Sequence, residues 1–247
     1  MFETLLIILL SSLIASAAAN VPMAMPNCPE TCGNFNISYP FGMGNSNCYL
    51  NPWFEITCNN TSVPRPFLSK FNLEVLDFGF YMVVNHPVYS TCRDGISWNS
   101  TDLRDSPFFF SSIKNTFVTV GCENILMMNR KKEVFAGCPS TCRAGERRET
   151  PKSNGCYGMN CCQTSISDGV DFYSLTSTVN ASDCTYAFLG SYYDSSWFQT
   201  NFSADPFVSM NQDHVPVYLD WGVHRLVTFQ QQLMISTTVL TCATAND

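Results

Sequence analysis

Thirteen cysteines in 247 residues constrain this chain more than any other feature. Twelve lie between Cys28 and Cys184, and the thirteenth, Cys242, stands alone near the C-terminus. The twelve are Cys28, Cys32, Cys48, Cys58, Cys92, Cys122, Cys138, Cys142, Cys156, Cys161, Cys162 and Cys184. An even set behind an apolar N-terminus reads as a disulfide framework made in an oxidising compartment. Each such bridge in a small secreted domain contributes about 2–5 kcal/mol. Sequence leaves the pairing open, with one restriction. Cys161 and Cys162 are neighbours, and a bridge between neighbours is badly strained. They should reach two different partners and clamp two segments at one point.

The N-terminus supports that compartment. Leu5 to Ile14 is apolar apart from Ser11 and Ser12, and small residues follow to Ala19. This predicts a signal peptide over residues 1–19, cleaved near Ala19, although the leader carries Glu3 and no Lys or Arg. The run falls short of the roughly 20 apolar residues that span a bilayer. Gln230-Gln231-Gln232 interrupt the later apolar stretch, so no transmembrane segment is expected in this chain. Six N-glycosylation sequons begin at Asn36, Asn59, Asn60, Asn99, Asn180 and Asn201. Only 13% of residues are charged, so glycans would help to solvate a sparsely charged surface. The net charge of −7 argues against a nucleic-acid partner.

Strand signals dominate. Phe71, Leu73 and Val75 alternate until Gly79 breaks the register, and Phe117–Val120 and Val215–Leu219 are short apolar runs between turn residues. Turn chemistry is dense at Pro40-Phe41-Gly42, Asn51-Pro52, Ser153-Asn154-Gly155 and Ser167-Asp168-Gly169. The expected fold is mainly β: small disulfide-rich extracellular modules with short strands and few short helices. Cys28-Pro29-Glu30-Thr31-Cys32 recurs as Cys138-Pro139-Ser140-Thr141-Cys142, but the flanks do not align, which favours coincidence over a repeat. Cysteine density falls between Cys58 and Cys122, so two domains are expected, over residues 28–100 and 101–222.

Catalytic patterns are absent from the sequence. His86, His214 and His224 form no helical metal pair, and no nucleophile elbow, P-loop or dinucleotide fingerprint occurs. Neither catalytic residues nor a resident metal is expected. Zinc ligation by the cysteines would be a serious reading in a reducing cytosol, but disulfides win behind a signal peptide. The basic residues say more. Seven of the thirteen Lys and Arg fall between residues 130 and 152, among them Lys131, Lys132, Arg143, Arg147, Arg148 and Lys152. With three Glu between them, the segment stands near +4 in an acidic chain. Singly each fits a solvated loop; together they suit an anion, which Arg forks bidentately. Tyr39, Phe41 and Trp53 could stack on sugar faces, although core packing is the more frequent fate of such rings.

Specific strings go further. Cys28-x3-Cys32-Gly33-Asn34-Phe35-Asn36-Ile37-Ser38-Tyr39-Pro40-Phe41-Gly42, continuing to Cys48 and Phe54-Glu55-Ile56-Thr57-Cys58, resembles the opening of the galacturonan-binding domain of plant wall-associated receptor kinases. Gly158-Met159-Asn160-Cys161-Cys162-Gln163-Thr164-Ser165-Ile166 is similar to that family's GxxCCQTSIP signature. Cys184-Thr185-Tyr186-Ala187-Phe188-Leu189 and Val215-Pro216-Val217-Tyr218-Leu219-Asp220-Trp221 resemble its later landmarks. The resemblance implies a non-enzymatic ectodomain over residues 28–222 that binds pectin, as polygalacturonate or its oligomers. Because ligand and chain are both acidic, such binding would need the basic patch, Ca2+ bridging between carboxylates, or hydroxyl and stacking contacts. A module that docks other receptor ectodomains or secreted peptides is the alternative, and a hydrolase a distant third.

Two departures stand out. Ser167-Asp168 follows Ile166 where the signature has Pro. His224 to Leu240 resembles nothing in the family, and it displaces a Thr241-Cys242-Ala243-Thr244-Ala245 segment that normally leads into an EGF-like region. Residues 223–247 are therefore expected to be an atypical tail before a truncation, with Cys242 belonging to a following module.

Overall fold

A computed structural model of the chain describes residues 24–59, 61–90, 101–142, 156, 158, 161–177, 185–191 and 214–222. The leader, the tail, Cys92, Cys184, Cys242 and the sequons at Asn60, Asn99, Asn180 and Asn201 lie outside the described residues.

The fold is mainly β. In chain order the strands are β1 (Thr31–Cys32), β2 (Phe35–Asn36), β3 (Ile56–Cys58), β4 (Pro66–Leu68), β5 (Leu73–Phe78), β6 (Met82–Pro87), β7 (Tyr89–Ser90) and β8 (Phe108–Phe110). They continue as β9 (Asn115–Val120), β10 (Ile125–Met128), β11 (Val134–Cys138), β12 (Cys161–Ser165), β13 (Ser174–Ser177), β14 (Tyr186–Ser191) and β15 (His214–Trp221). Among the described residues the helical content is one 3-10 turn, Pro52–Phe54, which Asn51 caps by accepting from the Trp53 amide at 3.0 Å.

Two larger sheets share one buried core. The first runs β3-β4-β5-β6-β15-β8 and the second β12-β9-β14-β7. A small sheet, β11-β10-β13, and the β1-β2 pair complete the described part. All the ladders between named strands are antiparallel. The alternation read from Leu73 and Val75 is real: both point inward, and β5 ends at the Gly79 turn into β6. A bulge between Val75 and Asp77 shifts its pairing with β6. By contrast β9, central in its sheet, is buried on both faces, and its polar residues Asn115, Thr116 and Thr119 are buried along with Phe117, Val118 and Val120.

The chain changes sheets twice in quick succession. β6 belongs to the first sheet, yet β7, one residue later, pairs with β14 in the second. β8 and β9 repeat the move from the first sheet to the second, joined by residues 111–114. β15 then returns late in sequence to lie between β6 and β8. Ladders therefore cross the boundary placed near residue 100: Tyr218 lies opposite Val83, and Tyr186 opposite Ser90. Residues 28–100 and 101–222 contribute strands to the same sheets.

Among the described residues, five disulfides join ten cysteines. Cys28–Cys48 and Cys32–Cys58 clamp the N-terminal segment, and Cys122–Cys142, Cys138–Cys162 and Cys156–Cys161 gather at the ends of β10, β11 and β12. Cys161 and Cys162 do reach different partners, because successive side chains of a strand point to opposite faces. The two Cys-Pro-x-Thr-Cys strings are not equivalent. Both cysteines of the first pair downstream, whereas Cys138 pairs downstream and Cys142 upstream.

The Pro-Phe-Gly turn explains part of its own motif. Gly42 donates to the Phe54 carbonyl at 3.2 Å and accepts from Ile56 at 2.8 Å, pressed against the Cys48 carbonyl. A Cβ there would collide with that carbonyl, so only glycine fits.

Candidate glycan-binding surface

The site residues expected from sequence fall into three groups. Arg143, Arg147, Arg148 and Lys152 lie outside the described residues. Lys131 and Lys132 are exposed at the tip of the β10–β11 hairpin. Asn129 builds that tip: its Oδ1 accepts from the amides of Lys131 at 2.9 Å and Glu133 at 3.0 Å, while its Nδ2 donates to Glu133 at 2.8 Å. The neighbouring Arg130 stands 3.8 Å from Asp171, a loose, exposed pair of little energetic weight.

The aromatic candidates divide sharply. Phe41 is only 4% exposed and cannot present a face to a sugar. Its ring packs edge-on against Phe54 at 5.2 Å, Phe78 at 5.5 Å and Trp221 at 5.2 Å. Phe108 joins at 6.4 Å. Rings of the disulfide-clamped segment thus interlock with rings of β8 and β15, and such pairs add about 0.5–1.5 kcal/mol each beyond area burial. Phe41 is a core residue, and its expected role in stacking on sugar is corrected. Tyr39 is half-buried, and desolvation raises its phenol pKa. Trp53, also half-buried, stacks on Phe71 at 5.6 Å with Lys70 6.0 Å from its ring centroid.

Of the sequons, Asn36 is exposed at the end of β2. Asn59 is half-buried, and its Oδ1 accepts from the Arg65 amide at 2.7 Å.

A second aromatic group was missed in the sequence. The β5–β6 tip carries Phe80 and Tyr81, whose rings meet edge to face at 5.0 Å. Tyr81 in turn meets Tyr218 of β15 at 6.1 Å, and the Lys114 ammonium lies over Tyr81 at 5.1 Å. Two signals pointed there: an aromatic pair directly after a turn glycine, and a tyrosine alternating with the buried Val217 and Leu219. Neither is specific without knowledge of which strands pair.

His86 lies away from any surface. It is wholly buried against Phe110 at 5.5 Å and Tyr173 at 6.3 Å, with its Nδ1 3.1 Å from the Pro87 carbonyl. Burial pushes its pKa down to about 4, so it is a neutral packing residue rather than a base at the surface. Among the described residues, no three His, Cys, Asp or Glu side chains are gathered as a metal ion would require. No described helix is long and apolar enough to cross a membrane.

Comparison with known proteins identifies the N-terminal segment. Residues 28–80 match the family described as wall-associated receptor kinase galacturonan-binding. The curated relatives that the chain matches are wall-associated receptor kinase-like proteins. It is 33% identical over 182 residues to wall-associated receptor kinase-like 4 of Arabidopsis thaliana, an alignment covering 66% of this chain and 23% of that protein. It is 32% identical over 224 residues to wall-associated receptor kinase-like 3 of the same plant, covering 75% and 30%. Wall-associated receptor kinase-like 1 is 29% identical over 220 residues, covering 79% and 30%. The chain thus spans about a quarter to a third of the length of these relatives. No solved structure matches it.

Proposed function

We propose that this chain is a non-enzymatic extracellular ectodomain of the wall-associated type that binds pectic polysaccharide, polygalacturonate or its oligomers, at the cell wall. The observation that carries the reading is the match of residues 28–80 to a galacturonan-binding family. The physical setting restricts how binding works. Ligand and chain are both anionic, with −7 on the chain, so bulk attraction opposes association. Affinity must come from local cations, from Ca2+ held between carboxylates of ligand and protein, or from rings and hydroxyls meeting the sugar. Lys131 and Lys132 offer cations at an exposed tip, and Arg143, Arg147, Arg148 and Lys152 add four more in sequence.

The test is retention of the secreted, glycosylated protein on immobilised polygalacturonate, with and without Ca2+, competed by defined oligogalacturonides. Specific elution by the oligomers supports the reading. Passage through the column under both conditions overturns it. Reducing-end release during incubation would show a hydrolase instead.

A further inference from the structure

We propose that the β5–β6 tip and the Ile113-Lys114 turn form a subsite for one uronate residue of a pectic chain. Phe80 stacks on the apolar face of the sugar ring, and Lys114 meets its carboxylate. The proposal rests on the pectin-binding reading above and locates one of its contacts.

Single exposed apolar residues are ordinary on protein surfaces. Three further observations distinguish this one. Phe80 is 86% exposed, which leaves most of its ring open to solvent, and Ile113 beside Lys114 is 66% exposed. The rings are held rather than loose: Tyr81 bridges Phe80 at 5.0 Å and Tyr218 at 6.1 Å, and hydrogen bonds from Asn115 and Ser111 fix the Tyr218 backbone. A cation is held beside them, since the Lys114 ammonium lies 5.1 Å from the Tyr81 centroid. Phe80 and Lys114 therefore flank the same ring at similar distances.

A uronate sugar presents the complementary pair of features, a C–H face and a carboxylate attached to that ring. A neutral sugar would use Phe80 alone. Acidic neighbours sharpen the choice of position. Asp77 lies across β6 from Tyr218, opposite Val83, and Asp220 follows two residues along β15 on the same face. Both repel an incoming carboxylate, whereas the Lys114 ammonium attracts it. Holding rings and cation in place before binding reduces the ordering cost.

Titration of oligogalacturonides into the secreted protein tests the subsite. Phe80→Ala should weaken binding about tenfold, and Phe80→Trp should retain it. Lys114→Gln should weaken binding to de-esterified oligomers about fivefold, reduce its salt dependence, and leave methyl-esterified oligomers unaffected. Thermal melts of each variant report folding separately. Wild-type binding with both Phe80→Ala and Lys114→Gln unchanged overturns the subsite and leaves pectin binding standing. Absence of wild-type binding overturns both. Conversion of a dimer to monomer by Phe80→Ala, with pectin affinity unchanged, would mark a protein contact and overturn the subsite.

Discussion

The side chain of Asn115 takes the place of a missing strand beside Tyr218. Its Oδ1 accepts from the Tyr218 amide at 2.9 Å, and its Nδ2 donates to the Tyr218 carbonyl at 2.7 Å. β8 pairs with β15 only at Leu219, Asp220 and Trp221, so Tyr218 lies just past the end of that ladder. Alternate residues of a strand direct their amides to the same side. Pro216, two positions earlier, thus has its absent N–H on the side where, among the described residues, no strand pairs with it. That geometry explains how a proline is accommodated in a strand inserted between two others.

Replacing Asn115 should therefore damage the fold out of proportion to its size. Asn115→Ala orphans the Tyr218 amide in a site where Asn115 itself is 2% exposed. A buried unsatisfied group costs about 1–3 kcal/mol. At about 2–4 °C per kcal/mol for a chain of this size, that lowers the melting temperature by roughly 2–12 °C. Asn115→Asp should be worse near neutrality, because a carboxylate would face the Ser111 and Tyr218 carbonyls, and should recover partly in acid. Thermal melts of the three proteins at two pH values check this.

His86 makes stability depend on pH. Its folded pKa is lowered to about 4 by burial, partly offset by the Pro87 carbonyl and lowered further by the charge of His214. Phe110 and Tyr173 offer no compensating charge, and Nε2 has no hydrogen-bond partner. A base with a lowered pKa stabilises the fold fully above its unfolded value near 6.5, and that contribution is lost as pH falls towards 4. The loss amounts to about 3 kcal/mol. His86→Leu should flatten the urea-midpoint profile between pH 6.5 and 4. An equally steep profile in that variant would assign the effect elsewhere.

Gly42→Ala should prevent normal folding. Its Cβ would meet the Cys48 carbonyl, which belongs to the residue bridged to Cys28, so neither side can move without opening the clamp. Secretion yield should collapse, while Gly169→Ala, whose Cβ meets nothing within 4 Å, should be far milder despite a positive φ of 71°. Comparable secretion of both variants would contradict the crowding argument.

Sequence made the local features legible. Alternation at Leu73 and Val75, the Gly79 turn and the divergence of Cys161 and Cys162 all follow from strand geometry and hold in the fold. What escaped depends on long-range pairing. Nothing local indicates that β15 inserts between β6 and β8, so a boundary near residue 100 was a natural inference from cysteine spacing. The same pairing brings Phe108 and Trp221 onto Phe41, which removes that ring from the surface. It also sets Tyr218 beside Tyr81 and creates the aromatic group that the sequence concealed.

The two bridges made by Cys161 and Cys162 should contribute differently. Cys156–Cys161 closes a sequence separation of 5, and Cys138–Cys162 one of 24. Loop-closure entropy gives about 2 kcal/mol for the first and about 3 for the second. Their mechanical roles differ more. Cys138 ends β11 of the small sheet and Cys162 lies in β12 of the second large sheet, so this bridge ties one sheet to another. Cys156–Cys161 joins the start of β12 only to the segment just before it. Paired replacement of Cys138 and Cys162 by Ala should therefore raise amide exchange across β10, β11 and β13 while β9 and β14 stay protected. Paired replacement of Cys156 and Cys161 should loosen only the approach to β12. Equal exchange patterns in the two variants would mean that the small sheet is held by packing, not by its disulfide.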